Sequence, residues 1–459
     1  MSTSIVSRGP AAEEVRRELR ESPLAALRKL LPDRVIVEAC ARSDHSWRDR
    51  KYGPVVTVFH YLLQAIGREE SFASTWQDLW TTATAEVPDV AGVAPDVSAL
   101  THARGRLPRR LMQELAKWAC DTCPRPDAMW HGMRLKAFDG CSVSMPRNDD
   151  LVAHFGLHNT RHGIVRYPLA RFVSLLDLGQ CTIVDWRLGV YADGEATLAQ
   201  QLMESVAPGD LCLGDKGFTG GPTLARIAAR KADCLGRKPP RPKPENAKIV
   251  RRLGRNDWIV ELPVNRPARK KDPTLPETIR VRLFKATWRA PSGRKLTEWF
   301  VTSLEDRAEF PPKMLAELYH ARWRIETSYA EFKQTFHTDV LRSKTVDNVY
   351  KEFAAHVLAY QLVRRLMVEA ARAHHKKPTD ISFINAVRWT LSFSRHMAAS
   401  HVAALPEIYD RLLAAIAASE VDVRPGRLDP RAIARETKHY PRLRESRAAW
   451  RARVLGKGA

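Results

Sequence analysis

Apolar residues recur along this chain with two different periods, and the change between them divides it. Val55, Val58, Phe59, Leu62, Leu63 and Ile66 follow Pro54 at helical spacing and are closed by Gly67. Ser71 is placed to cap a second helix carrying Phe72, Trp76, Leu79 and Trp80, and Asp96 or Ser98 starts a third. With Leu24, Leu27, Leu30 and Leu31 ahead of them, these runs predict a helical domain over residues 1–125, closed by Cys123-Pro124-Arg125-Pro126. From residue 133 the pattern becomes that of strands, predicted over 133–138, 169–176 and 181–188, the last two joined at Gly179 as a hairpin. A helix over 195–206, a strand over 211–213, a helix over 223–231 and a strand over 233–236 follow. Three strands, helix, strand, helix, strand is the order of a mixed α/β sheet with helices packed on it, here residues 130–236.

Residues 237–308 break that rhythm. Between Gly236 and Lys271 there are 12 Lys plus Arg against 3 Asp plus Glu, and then 278–287 and 297–302 read as strands. We expect an inserted basic β subdomain, with Trp258, Trp288 and Trp299 either in its core or stacking on a base drawn from a duplex. Residues 309–370 return to helical spacing, including 349–373, and 371–459 predict a helical C-terminal region with helices over 381–391 and 402–418. Its tail, 424–457, has 11 Lys plus Arg against 3 Asp plus Glu, which suits phosphate contact or a solvated, unstructured end.

The stretch from Tyr319 to Lys333 has neither Gly nor Pro. At about 100° per residue, Tyr319, Arg322, Glu326 and Lys333 share a stripe roughly 60° wide. Beside it runs an apolar stripe, Leu318, Ile325, Tyr329, Phe332 and Phe336, able to anchor the helix on a core. A carboxylate flanked by two cations and a phenol suits a group that binds metal while its neighbours hold phosphates; the bland alternative is a surface helix with Arg–Glu pairs.

At 459 residues the chain is long enough for two to four domains, and 44% hydrophobic residues can fill their cores. The formal net charge of +22 calls for a polyanionic partner, nucleic acid first among them. The patch Arg104, Arg106, Arg109 and Arg110 is one place to meet it, or a solvated helix face. There is no apolar run of membrane-spanning length and no hydrophobic signal core, so a soluble, untargeted protein without membrane contact is expected. Seven cysteines, with Cys120 and Cys123 as a lone C-x-x-C, fit a reduced cytoplasmic compartment better than a zinc site or disulfides.

Asp139 and Asp215 follow predicted strands, where α/β sheets place their chemistry. Asp177, Asp185, Asp193 and Glu195 are rival carboxylates at turns or helix starts, where acids also serve as caps. Two acids at strand ends and a third on a later helix are what two-metal phosphoryl transfer requires.

The residues Tyr319, Arg322, Glu326 and Lys333 resemble the Y-R-E-K signature of insertion-sequence-4-type DDE transposases, and Asp139 in F-D-G and Asp215 in G-D-K-G-F resemble that family's two aspartate motifs. Trp299, in E-W-F-V-T-S, sits where such proteins often carry a tryptophan, while Cys141 departs from the hydroxyl residue common there. The resemblance implies an RNase H-like core split into 130–236 and 309–370 by the β insertion at 237–308. It implies that Asp139, Asp215 and Glu326 are catalytic and hold two Mg²⁺ ions, with Mn²⁺ able to substitute. Tyr319, Arg322 and Lys333 would hold DNA phosphates, and Trp299 would stack on a flipped base. The implied activity is cut-and-paste transposition in a bacterial cytoplasm, close to the nucleoid, by a homodimer on transposon ends and target DNA. The alternatives are a domesticated DNA-binding relative and a structure-specific nuclease on the same core.

Overall fold

The computed structural model describes residues 25–47, 52–67, 74–75, 97–123, 129–160, 163–238, 247–289, 295–398, 400, 402–421, 449 and 452–453. All but Ser74 and Thr75 of the predicted helix after Ser71, the linker at Pro124 to Pro126 and nearly all of the basic tail lie outside these residues. The chain divides into two compact units, Met1–Trp288 with Leu296–Asp422, and Arg289–Lys295 with Val423–Ala459. The sheet and helices described below belong to the first, save the strand-end residues Arg289 and Lys295.

Helices α1 (Ala25–Leu30), α2 (Asp33–Arg42), α3 (Pro54–Ile66), α4 (Val97–Arg106) and α5 (Arg109–Asp121) come first. Pro54 opens α3 at a position where its missing N–H costs nothing. The third predicted helix is two, because Pro108 ends one and starts the next. Then come β1 (Arg134–Ser144), α6 (Asp149–Phe155), the short hairpin β2 (Asn159–Thr160) and β3 (Gly163–Ile164), β4 (Leu169–Asp177), β5 (Thr182–Val190), α7 (Glu195–Gln200), β6 (Asp210–Gly214), α8 (Gly221–Ala229) and β7 (Asp233–Lys238). Within the sheet β1 is antiparallel to β4 and β4 to β5, while β1, β6 and β7 run parallel. This spatial order, β5-β4-β1-β6-β7, is the RNase H-like arrangement expected.

The inserted region contains β8 (Lys248–Gly254), β9 (Asp257–Pro263), α9 (Arg266–Lys271), β10 (Thr278–Arg289) and β11 (Lys295–Thr302). The β8–β9 hairpin escapes sequence reading because exposed Arg251 and Arg252 hide its strand pattern, and its turn uses Asn256 at φ 60°. These strands do not form a sheet of their own. β11 pairs with β7, from Trp299 opposite Lys238 to Thr302 opposite Leu235, so the core sheet is prolonged to nine strands. Inside the insertion Asp257 and the fully buried Arg282 form a bidentate pair, both contacts 2.8 Å.

Each face of the sheet carries its own core. On one, Phe138, Val173, Leu198, Phe218, Leu224, Val260 and Val301 pack under α7 and α8. On the other, Phe172 meets Tyr329, Phe332 and Phe353 at ring distances of 4.9–5.8 Å. These last come from α11 (Trp323–Phe336) and α12 (Val346–Ala373), which are accompanied by α10 (Pro312–Tyr319), α13 (Phe383–Ala398) and α14 (Leu405–Ala418).

The amino-terminal helices share that second layer, since α3 and α5 both pack on α12. Lys351 of α12 is fully buried and donates to the carbonyls of Arg104 (3.0 Å), Gly105 (3.3 Å) and Leu107 (2.7 Å), the open end of α4. Those carbonyls lack partners within the helix, so a buried ammonium beside them is doubly favoured. The arginine patch divides accordingly. Arg104 is buried over the Tyr61 ring and Arg109 lies over the Tyr350 ring, while Arg106 and Arg110 face solvent.

Candidate active site

Asp139 sits within β1 and not at its end, which differs from the sequence expectation. The reason is that β1 loses its parallel neighbour partway. Residues Arg134 to Ala137 pair with Asp210 to Leu213 of β6, whereas Asp139 to Val143 pair with β4 alone among the described strands, and Ser144 adds a parallel bridge to Val340. Asp139 lies two residues beyond Ala137, and Asp215 lies two beyond its partner Leu213. Continuing the register sets the two aspartates level on adjacent strands, whose spacing is about 4.8 Å. Asp215 is fixed there by accepting the Gly217 N–H at 2.8 Å. The close approach of β6 and β7 beside it requires Gly236, where a Cβ would fall 2.1 Å from Thr219 Cγ2.

Glu326 is carried by α11. The predicted single helix is interrupted: α10 ends at Tyr319, a 3₁₀ turn spans His320–Arg322, and α11 begins at Trp323. The stripe survives this change of pitch. Arg322, only 9% exposed in its side chain, reaches Asp139 Oδ2 at 3.4 Å and Glu326 Oε1 at 2.5 Å, so it bridges two of the three carboxylates. Burial pushes the Asp139 carboxyl up to about 6, against the Gly140 N–H and Arg322, and the neighbouring charges of Asp215 and Glu326 push the same way. Both other acids therefore act on Asp139.

Tyr319 is buried, with its ring 5.7 Å from the Arg322 guanidinium, and its hydroxyl has no hydrogen-bond partner among the described residues. Burial raises that phenol, and Arg322 and Arg237 partly offset the effect. Lys333 lines an open cleft together with Asp139, Gly140, Glu326, Tyr329 and Gln334. It also faces Cys141, whose thiol burial raises to about 11 in spite of the lysine. That thiol is protonated at neutral pH and has no metal-binding character.

Residues 130–362 match the family model described as Transposase DDE domain. The chain belongs to the DDE transposase family. It is 29% identical over 360 residues to the transposase InsG for insertion sequence element IS4 of Escherichia coli K12, across 76% of this chain and 78% of the relative. The putative transposase InsZ of the same organism is 30% identical over 90 residues, 19% of this chain and 30% of that one. Among solved structures, a piggyBac transposase synaptic complex with hairpin DNA superposes with a TM-score of 0.44 at 10% identity, covering 86% of this chain and 85% of that one. The protein is thus a DNA transposase of the insertion-sequence-4 type, an enzyme acting on DNA. None of the described helices is long and apolar enough to cross a membrane.

The transposase's acidic set is composed of carboxylate oxygens alone, which suits a hard cation such as Mg²⁺. Among the described residues no three His, Cys, Asp or Glu side chains close on a common centre. The set is open, Arg322 bridges Asp139 and Glu326 within it, and its all-oxygen donor chemistry is of the kind that fits a divalent ion.

Two contributors escaped sequence reading. Tyr329, assigned to the apolar anchor, donates its hydroxyl to the Asp139 carbonyl at 2.6 Å and lies 2.8 Å from the Ser174 hydroxyl. Its place three residues after Glu326 was the available signal. Arg237, which pairs with Glu298 at 2.8 Å, acts on the Tyr319 phenol from β7 and is hidden in sequence by the basic stretch around it. Trp299 is placed differently from the other predicted residues. It stacks on Trp258 with centroids 5.4 Å apart, while its neighbour Phe300, on the opposite face of the sheet, meets Tyr319 at 5.4 Å.

Proposed function

We propose that Asp139, Asp215 and Glu326 hold two Mg²⁺ ions, replaceable by Mn²⁺, and that Tyr319, Arg322 and Lys333 hold the phosphates beside the scissile bond. When bound, such ions activate the attacking oxygen and stabilise the leaving oxygen of an in-line displacement. The chain's own part is to fix geometry and charge. Asp139 and Asp215 present oxygens from two neighbouring interior strands, β1 and β6, and Glu326 from the α11 helix packed on them. Arg322 exchanges its carboxylate contacts for phosphate oxygens, for which its planar fork is matched. Tyr319 offers a buried, unpaired hydroxyl as a donor, and Lys333 adds a point charge at the far end of the same stripe. Together they stabilise the negative charge that develops on the transferring phosphate. The observation that supports this reading is the β1–β6 register, paired as far as Ala137 and Leu213, each two residues short of an aspartate, together with the contacts of Arg322 to Asp139 and Glu326.

The reaction we assign is nicking at transposon ends to free a 3′-hydroxyl, followed by attack of that hydroxyl on target DNA. Joining two ends in one event calls for a homodimer on DNA, and the +22 charge would keep the protein with the nucleoid. Exposed Arg106 and Arg110 are our candidates for backbone contacts by the amino-terminal helices. Trp299 is retained as a base-stacking candidate on the condition that it parts from Trp258. The test is cleavage and joining of a labelled element end by wild type and Glu326→Gln, in Mg²⁺ and in EDTA, with gel-shift binding in parallel. Wild type should cut and join only with metal, and the variant should bind without doing either. Tight binding of ends with no cutting in Mg²⁺ or Mn²⁺ would sink the enzymatic assignment of these three residues.

A further inference from the structure

Glu195 opens α7 on the face of the sheet opposite α11, a position where an acid normally serves the helix end. Here its side chain lies against β1. A Cβ at Gly140 would fall 2.7 Å from Glu195 Cγ, 2.8 Å from Cδ and 3.0 Å from Oε1, so a side chain there would have to push Glu195 aside. The carboxylate is held by Arg171, whose Nη1 donates to Oε1 at 2.5 Å, and the Arg171 guanidinium lies 4.1 Å from the Tyr191 ring centroid. In the β1–β4 register Ser142 is opposite Arg171 and Gly140 opposite Val173, which keeps Arg171 on Gly140's side of the sheet.

The residue following Asp139 is therefore held from both faces. On one side Tyr329 donates to the Asp139 carbonyl at 2.6 Å; on the other Glu195 covers Gly140. Gly140 N–H in turn donates to Asp139 Oδ1 at 2.8 Å, so the peptide that Glu195 and Tyr329 fix also aims the carboxylate. We propose that Glu195, clamped by Arg171, is a positioning residue that sets the Asp139 carboxylate through the Gly140 peptide. The proposal rests on the reading of Asp139 as a metal-binding carboxylate. Glu195 acts by shape and by its bond to Arg171, not as a ligand of its own.

The experiment compares wild type, Glu195→Ala, Glu195→Gln, Gly140→Ala and the double variant Gly140→Ala/Glu195→Ala. It measures single-turnover cleavage of a labelled end against Mg²⁺ concentration, DNA affinity by gel shift, and Tm. Glu195→Ala should slow cleavage roughly tenfold to a hundredfold and raise the half-saturating Mg²⁺ concentration, as loss of outer supports of metal ligands does. Its DNA affinity and Tm should stay near wild type. Glu195→Gln should remain within about threefold, because the amide oxygen still accepts from Arg171 and the methylenes still cover Gly140. Gly140→Ala should be worse than Glu195→Ala, and the double variant should recover part of that loss, since the two changes share one space. Glu195→Ala with wild-type rate and Mg²⁺ requirement would overturn the proposal. So would a Glu195→Gln defect equal to that of alanine, which would make the charge itself essential, or losses that follow Tm through the series, which would leave packing alone. A wild type that does not cut in Mg²⁺ or Mn²⁺ removes the metal-site reading and this one with it.

Discussion

Replacing Asp139 with Asn should make the metal-free protein more stable at neutral pH while abolishing cleavage. Burial, with the charges of Asp215 and Glu326, raises the Asp139 carboxyl from 3.8 to about 6. Its native state holds the proton more tightly than the unfolded chain does. The group's contribution is therefore most favourable at low pH and is lost as pH rises from the unfolded value through the folded one. A rise of about two units corresponds to about 3 kcal/mol of destabilisation above pH 7, most of which is gone by about pH 4. Asn is nearly isosteric, does not titrate, and still leaves an oxygen for Gly140 N–H. Part of the gain is offset because Arg322 keeps only Glu326 as a charged partner. For a chain of this length, 1 kcal/mol moves Tm by about 1 °C, so Asp139→Asn should melt up to about 3 °C above wild type in EDTA at pH 7.5. The offset should shrink steadily towards pH 4. Mg²⁺ should raise the Tm of wild type and not that of the variant. A variant less stable than wild type at pH 7.5, or an offset that does not change with pH, would refute the argument that burial and its acidic neighbours raise the Asp139 carboxyl.

Arg322→Ala should bind DNA but lose on the order of 10²–10³ in cleavage rate, and Arg322→Lys should recover little, because a point charge cannot bridge two groups as a planar fork does; recovery to within tenfold by lysine would argue for charge alone. Lys351→Met leaves three α4-end carbonyls without their buried donor and should cost about 3 kcal/mol, read as a lower Tm with an unchanged Mg²⁺ requirement. A wild-type melting curve would show those carbonyls to be satisfied by water. Trp299→Ala removes the ring packed on Trp258 and should cost about 2 kcal/mol, half the usual loss for a buried tryptophan. If its cleavage falls much further than its stability, the ring also serves DNA.

Much of the site was legible because its chemistry is written in local spacing. Tyr319, Arg322, Glu326 and Lys333 share a stripe at any helical pitch near 100° per residue, so even the 3₁₀ turn at His320–Arg322 left them together. Asp139 and Asp215 were visible as acids after apolar runs, the order of strands and helices led to a mixed α/β sheet, and the family resemblance supplied its RNase H-like form. The basic β8–β9 hairpin was hidden because an exposed edge strand carries charge in place of alternation. Arg104 and Arg109 read as a surface patch, yet their planar side chains lie on Tyr61 and Tyr350, partners distant in sequence.

What the sequence determined by itself was therefore which polar residues share a helix stripe or follow an apolar run, and the periods that place each on its element. What only the tertiary structure decided was their mutual register. The pairing of Ala137 with Leu213 sets Asp139 beside Asp215, Tyr329 and Glu195 come from opposite faces to fix the same peptide, and the inserted strands join the core sheet through β7. Periodicity reports which face of an element is buried. It carries no information on which residue of another element lies opposite, because that choice is made by contacts between segments far apart in the chain.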